Sequence, residues 1–383
     1  MSLRKTILID FEEAFNSFTG IPLSTINDAL CIIKSDNEVI LWYRDKRKTE
    51  KIEEWMNSFF KQEEMARIHL LKTRPSNFKM WLAQICSIFP KQKIPCDFAY
   101  SRLFPKLPIV GNKYNLLRID DPFGRESNAV RNFFLEIGCG VKIKNALARS
   151  IRTLGYSKMG LERTIRIFNS NYTKEVWHQI YKDVNLKDYV VYPPVQFSIE
   201  DTYLKMHVQA QKTKIAKYFV FIGGQRQRKD PAAIIKSWAK RLHQFSFDFV
   251  VVGSIDEMFS TSEMKTASSL GRLRMVKNIS SQNLRELIES SQGIIFNSKG
   301  EGFGNPIAEG MYLGVPVICN DLEVFKEVGK GYAHFFRSGD YSNALDILQT
   351  LASGQLRHTH ERETYYGVKS TIKVWRELLN HPI

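Results

Sequence analysis

The sequence predicts an α/β fold of two parallel sheets, each covered by helices on both faces. Three observations predict it. Short apolar strands alternate with helices up to about residue 194, and a second alternating series begins near residue 218. A polar stretch, 196–214, separates the two series and reads as an inter-domain linker. The string Glu301-Gly302-Phe303-Gly304-Asn305-Pro306-Ile307-Ala308-Glu309 then opens a helix that Gly314 ends, before the apolar run 315–318.

In the first series, residues 5–10 read as a strand. A loop over 18–22 contains Thr19-Gly20-Ile21, and a helix over 24–33 and a strand over 39–43 follow. Residues 77–89 place Phe78, Trp81, Leu82, Ile85, Ile88 and Phe89 on one helical stripe. A strand over 114–119 ends in Asp120-Asp121-Pro122. Another spans 164–168 and leads to a helix with Ser170 as its N-cap; a strand over 189–192 is closed by Pro193-Pro194. The second series has strands at 218–222, 247–252, 273–276, 293–296 and 315–318, with a helix over 231–242. A final helix over 368–379 carries Trp375.

The chemistry concentrates in the second series. Asn305 is a good N-cap and Pro306 suits the first helical turn. The positive end of such a helix is a ready site for a phosphate. A carboxylate does not hold phosphate, so Glu301 and Glu309 suit another task, accepting hydrogen bonds from sugar hydroxyls. Glu309 lies four residues after Asn305, on the same helix face. Taken one at a time, each Glu is equally a surface residue of a capped helix. The turn Gly223-Gly224-Gln225-Arg226-Gln227-Arg228-Lys229-Asp230 sets three cations at a strand's C-terminal end, where open α/β sheets bind ligands. Guanidinium forks and an ammonium together suit a diphosphate, although a solvated basic turn has the same composition.

The chain has 383 residues, room for two domains, and 43% hydrophobic residues, enough for two ordinary cores. Its 55 Lys and Arg against 40 Asp and Glu give a net charge of +15, which favours anionic partners. Nucleic acid is the remote case, because the basic residues are dispersed and no RNA-reading motif occurs. The five cysteines (Cys31, Cys86, Cys96, Cys139, Cys319) are far apart and read as free thiols of a reducing cytosol. Residues 1–10 resemble a short strand rather than a signal peptide, and no apolar run is long enough to span a membrane. His358 and His360 are too isolated for a metal site and no D-x-D motif occurs, so no cofactor and no metal are expected.

The 301–318 string resembles the donor-site motif of retaining GT-B glycosyltransferases, the large group 1 family that includes bacterial O-antigen and lipopolysaccharide mannosyltransferases. That pattern is E-G-F-G-x-P-x-x-E followed by G-x-P-V-I, and each position is matched here. The resemblance implies two Rossmann-like, doubly wound domains facing a central cleft: an acceptor domain at 1–196 and a nucleotide-sugar domain at 197–363, with helix 364–383 crossing back. It implies that Glu301 contacts the transferred sugar, that Glu309 contacts the ribose, and that backbone N–H groups around Gly302, Phe303, Gly304 and Asn305 face the diphosphate. Arg228 and Lys229 match the family's basic pair. Gly224 stands where the family usually has an Arg, with Arg226 as its candidate substitute, and Gly20 resembles the Gly loop that approaches the donor phosphates. Asp120 stands where many members have a His near the donor sugar, which puts that His contribution in doubt.

The expected activity is therefore metal-independent, retaining transfer of a hexose, mannose by preference, from a nucleotide-diphosphate sugar such as GDP-mannose or a UDP-hexose. The acceptor would be a glycan or a lipid-linked saccharide in cell-surface polysaccharide biosynthesis. The expected location is the cytoplasm, peripheral at the inner face of the membrane. Basic residues over 44–51 and 72–93, with Phe78 and Trp81, form a candidate face for an anionic membrane, although the Phe78 stripe equally suits a core. An epimerase of the same fold and an inactive scaffold are the alternatives.

Overall fold

The computed structural model describes residues 4–11, 14–15, 21–43, 48–72, 95–102, 114–120, 164–181, 187–204, 217–223, 229, 231–253, 255, 260–356 and 365–380. The chain divides into two units, Met1–Pro193 with Lys369–Ile383, and Pro194–Val368.

The first unit holds seven strands: β1 (Thr6–Asp10), β2 (Glu38–Tyr43), β3 (Ile68–Lys72), β4 (Phe98–Arg102), β5 (Tyr114–Ile119), β6 (Thr164–Phe168) and β7 (Asp188–Val190). They lie in the order β3-β2-β1-β4-β5-β6-β7, every pair parallel. The strand order reverses between β1 and β4, the switch point of a doubly wound sheet. The helix after β1 runs over Ile21–Lys34, three residues longer at its start than expected. Pro22 fits there because the first N–H groups of a helix have no partner within it. Ser170 caps the Asn171–Tyr181 helix, its Oγ accepting from the Thr173 N–H at 3.0 Å. Strand β7 stops at Val190, short of the expected Tyr192. The Val368–Asn380 helix sends Trp375 against Tyr100 of β4, ring centroids 5.9 Å apart.

The second unit holds β8 (Tyr218–Ile222), β9 (Asp248–Val252), β10 (Leu273–Val276), β11 (Ile294–Phe296), β12 (Val317–Asn320) and β13 (His334–Phe336). Their order is β10-β9-β8-β11-β12-β13, again parallel throughout, with the reversal between β8 and β11. One face of β8 and β9 is packed by aromatics: Phe219 meets Phe247 at 5.1 Å, and Trp238 of the Pro231–Ala239 helix meets Phe249 at 5.1 Å. The last strand of the expected set begins at Val317 rather than 315, because Val315 still belongs to the turn that closes the preceding helix.

The stretch expected as a polar linker is helical at its start. Gln196–Ile199 forms an α-turn and Glu200–Leu204 a π-helical turn, with Phe197, Ile199, Glu200 and Asp201 buried. Ser198, between Phe197 and Ile199, is buried as well, so packing on all sides of the turn overrides the average polarity of the stretch. Residues 205–216 lie outside the described set.

The Asn305–Leu313 helix packs so closely on the sheet that a Cβ on Gly310 would lie 2.4 Å from Val317 Cγ2 and 3.1 Å from Ile294 Cδ1. Gly310→Ala is therefore expected to destabilise the protein by about 1–3 kcal/mol through overpacking, despite alanine's better helix propensity. Urea unfolding that finds the variant as stable as wild type would contradict this packing.

Candidate functional site

The β8/β11 reversal leaves the loops after these two strands diverging at the C-terminal edge of the sheet. Both loops carry residues of the expected site. After β8, the described part of the basic turn is Gly223 and Lys229, while Gly224, Arg226 and Arg228 lie outside the described residues. Lys229 folds back over the strand end. Its ammonium sits 4.8 Å from the Phe296 ring centre, and a Cβ on Gly223 would come within 2.7 Å of Nζ. A side chain at 223 would thus push the ammonium away, so a glycine there lets it lie close to the backbone. Asn297, the residue after β11, donates from Nδ2 to the Lys229 carbonyl at 3.3 Å and ties the two loops together.

The loop after β11 presents Glu301. Ser298 is held on both sides by Asn320 at the end of β12: its N–H donates to Asn320 Oδ1 at 3.0 Å, and its carbonyl accepts from Asn320 Nδ2 at 2.9 Å. Ser298 Oγ lies 3.2 Å from Glu301 Oε1, within donating distance of that carboxylate. Asn320 Nδ2 also donates to Ser338 Oγ at 3.0 Å, and Asp321 accepts from the Ser338 N–H and hydroxyl at 2.8 and 2.7 Å. Three strand ends are therefore laced together beneath Glu301. The sequence reading did not find Ser298, Asn320 or Ser338; their only signal is a polar residue immediately after, or at the end of, an apolar strand.

Gly302 and Phe303 continue the loop, and Phe303 is buried with its ring 5.2 Å from that of Tyr366. The helix cap differs from the expectation. Gly304, not Asn305, is the N-cap, with φ at 102°, and Asn305 is the first helical residue and exposed. The left-handed backbone at 304 turns the chain into the helix, and a Cβ there would also press on Phe325 at 3.1 Å. A residue with a side chain is excluded by both conditions, so the capping side chain that Asn would supply is not used.

Glu309 stands one turn into this helix and is half-buried. Burial pushes its carboxyl up to about 7; Lys229 acts in the opposite sense, and Glu200 adds to the rise. The structure thus brings Glu309 and Lys229 within electrostatic range of each other and adds a carboxylate the sequence reading missed, Glu200. Glu200 Oε1 accepts from Ser281 Oγ at 2.6 Å and Gln196 Nε2 at 3.1 Å. Its neighbour Asp201 pairs with Arg285 and accepts from Tyr312 OH at 2.9 Å, which fastens this segment to the Ser281–Glu289 and Asn305–Leu313 helices.

The sign of the Glu309 effect is definite. Its folded-state pKa lies above the unfolded value, so its contribution is full below about pH 4.5 and is lost as pH rises towards 7. Glu309→Gln, which keeps the neutral shape, is expected to be more stable than wild type at pH 8 by on the order of 1–3 kcal/mol. The difference should vanish below about pH 5. Urea unfolding at both pH values measures it, and an equal difference at pH 5 and 8 would contradict the assignment.

In the first unit, Asp120 follows β5 at the C-terminal edge of its sheet. Asn169 Nδ2 donates to the Asp120 carbonyl at 2.6 Å, and Arg118 Nε donates to Asp120 Oδ1 at 3.1 Å. Arg118 is fully buried, and its Nε is 3.7 Å from Asp28 Oδ2, which accepts from Tyr100 OH at 2.6 Å. Gly20 and Asp121 lie outside the described residues, as do Cys86, Cys139 and the whole 77–89 stripe. Cys31, Cys96 and Cys319 are buried free thiols. Of the basic residues expected on a membrane-facing surface, Lys48 is buried, while Lys51 and Lys72 are exposed. Among the described residues, no helix is long and apolar enough to cross a membrane, and no group of three His, Cys, Asp or Glu could hold a metal ion.

Residues 205–360 match the family model of glycosyl transferases group 1. The serotype-specific mannosyltransferase WbdA of Escherichia coli is 30% identical over 153 residues, which is 38% of this chain and 18% of that protein. This chain thus spans less than a fifth of that relative's length. The O-antigen chain mannosyltransferase RfbU of Salmonella typhimurium is 22% identical over 307 residues, 78% of this chain and 77% of that one. Among solved structures, HepE of Anabaena in complex with UDP and glucose aligns with a TM-score of 0.55 at 13% identity, covering 98% of this chain and 99% of that one. At that identity the likeness shows the fold, two parallel-sheet α/β domains of the GT-B type.

Proposed function

We propose that this chain, whose residues 205–360 match the model of glycosyl transferases group 1, is a retaining, metal-independent hexosyltransferase. It moves mannose from GDP-mannose to a glycan or lipid-linked saccharide acceptor in cell-surface polysaccharide biosynthesis. The observation that carries this reading is the grouping of Lys229, Glu301, Glu309 and the Asn305–Leu313 helix mouth around one sheet reversal. A cation and the positive end of a helix suit a diphosphate, and two carboxylates suit hydroxyl-rich sugars. The mannose preference rests on the names of WbdA and RfbU; HepE, solved with UDP, makes a UDP-hexose the competing donor.

In this reading Lys229 and the helix mouth, with Arg228 and Arg226 from the same turn, take the diphosphate. Glu309 accepts from the ribose and Glu301 from the transferred sugar. The bond from the anomeric carbon to the β-phosphate oxygen breaks as a bond to the acceptor oxygen forms on the same face. The acceptor proton passes to the departing diphosphate. Charge growing on the β-phosphate is met by groups already in place, the condition for large electrostatic stabilisation. Exposed Lys51 and Lys72 fit peripheral attachment to the anionic inner face of the cell membrane.

The test is transfer of radiolabelled mannose from GDP-mannose to a membrane fraction rich in lipid-linked saccharides, with EDTA present. Label in the lipid-saccharide fraction, in the α-configuration of the donor, supports the reading. Label from a UDP-hexose only would move the donor assignment, and no transfer from either would contradict the function.

A further inference from the structure

Asp120 has an unusual support. The residue two positions before it on β5, Arg118, is wholly buried, and its Nε donates to Asp120 Oδ1 at 3.1 Å. The same Nε lies 3.7 Å from Asp28 Oδ2, on the buried face of the Ile21–Lys34 helix. One cation therefore stands between two carboxylates. Tyr100 OH fixes Asp28 at 2.6 Å, and Asn169 fixes the Asp120 backbone at 2.6 Å. Cys31 shares the cluster: burial and then Asp28 push its thiol well above the ordinary value, against the pull of Arg118. Among the described residues Arg118 Nη1 and Nη2 have no hydrogen-bond partner, and the bond to Asp120 is made through Nε.

A buried guanidinium left with two unused nitrogens is poor economy for a fold-stabilising pair, because an apolar side chain would fill the same space without unmet polar groups. Its geometry makes sense for the group it reaches. Asp120 is the member of the cluster that is partly exposed, with 19% of its side chain accessible, at the sheet edge where ligands of doubly wound folds bind.

We propose that Arg118 is a positioning residue for a sugar-binding carboxylate of the first unit: held by Asp28, which Tyr100 fixes in turn, it aims the Asp120 carboxylate, so that Asp120 accepts hydrogen bonds from a sugar hydroxyl. This rests on the transferase reading above. It also states what replaces the expected His at this position: an acceptor held by a buried cation, with no proton of its own to donate.

The test uses Asp28→Asn/Arg118→Gln, which removes a buried opposite-charge pair together and so leaves no lone buried charge, alongside Asp120→Asn and the triple variant. The readout is GDP release from GDP-mannose as a function of pH. Besides Asp120, the charged and titratable groups of the cluster among the described residues are Arg118, Asp28, Tyr100 and Cys31. The paired variant should lower kcat/KM at least tenfold at pH 7 and move the acid limb up by about one unit or more, because a carboxylate losing its cation holds its proton more tightly. In the Asp120→Asn background the same pair of changes should have no further effect. An unmoved acid limb, or an equal loss in both backgrounds, would overturn the proposal and leave Arg118 a structural residue. Arg118→Lys keeps the charge without the Nε geometry, and should lower kcat while leaving the acid limb in place. If wild type releases no nucleoside diphosphate from either GDP-mannose or a UDP-hexose, the transferase reading falls; titration of the Asp120 carboxyl by carbon-13 NMR, in wild type and the paired variant, then decides the hold of Arg118 separately. Equal midpoints in the two proteins would overturn that as well.

Discussion

Lys229→Ala is expected to lower turnover about a hundredfold, the equivalent of about 3 kcal/mol in the transition state. The argument starts from where the ammonium is held. Gly223 leaves the backbone at the end of β8 open, Lys229 folds onto it, and the Phe296 ring lies 4.8 Å below the charge. Asn297 grips the Lys229 carbonyl, so the residue is fixed at both ends of its side chain. A cation placed in advance needs no reorganisation when charge grows on a leaving diphosphate, which is why its loss falls on kcat more than on binding. The same substitution removes the cation that opposes the upward shift of Glu309, so that carboxyl should hold its proton to still higher pH in the variant. Steady-state release of nucleoside diphosphate measures the first effect. Turnover within a few-fold of wild type would remove Lys229 from the chemistry.

Asp201→Ala is expected to carry the largest stability loss, about 3 kcal/mol. Asp201 and Arg285 are both buried, 9% and 3% exposed, and Tyr312 OH completes the acid's bonding. Removing the acid leaves a desolvated guanidinium and a hydroxyl without its acceptor. Breaking one side of such a pair costs about 3–5 kcal/mol. Glu289, 3.4 Å from Arg285 Nε, retains part of the compensation and puts the figure at the low end. For a unit of this size the melting temperature should fall by roughly 6–12 °C. The pair also seats Glu200 beside the Glu309 helix, so nucleotide affinity should weaken along with stability. A melting temperature within 2 °C of wild type would show that the Asp201–Arg285 pair does not hold the segment over 196–204.

Much of the framework was legible in the sequence because buried parallel strands are nearly continuous apolar runs. Tyr218-Phe219-Val220-Phe221-Ile222 and Thr164-Ile165-Arg166-Ile167-Phe168 have the bounds their composition predicts. Three strands were not legible. β3, at the sheet edge, reads Ile-His-Leu-Leu-Lys with three of five residues exposed, β4 reads Phe-Ala-Tyr-Ser-Arg, whose small residues have weak strand preference, and β13, His334-Phe335-Phe336, is only three residues long. At the site, Glu301, Glu309 and Lys229 were legible as types at a spacing. Their supports were not. Asn320, Ser338 and Glu200 reach the site from separate strands and turns, and nothing local in the sequence joins a polar strand end to a loop 22 residues away. The N-cap was misassigned for a physical reason: Asn305 has the preferred capping side chain, but the turn needs the left-handed backbone that Gly304 provides.

The central claim is a metal-free site for a nucleotide diphosphate at the β8/β11 reversal, and a thermal-shift panel tests it most directly. UDP, GDP, ADP and dTDP would each be added with and without EDTA. A ligand at a hundred times its Kd stabilises by about 2.7 kcal/mol, which should raise the melting temperature by roughly 5–10 °C. The account predicts that one of them, GDP first and UDP second, gives this shift equally with and without EDTA. No shift with any of the four, or a shift that EDTA abolishes, would contradict it.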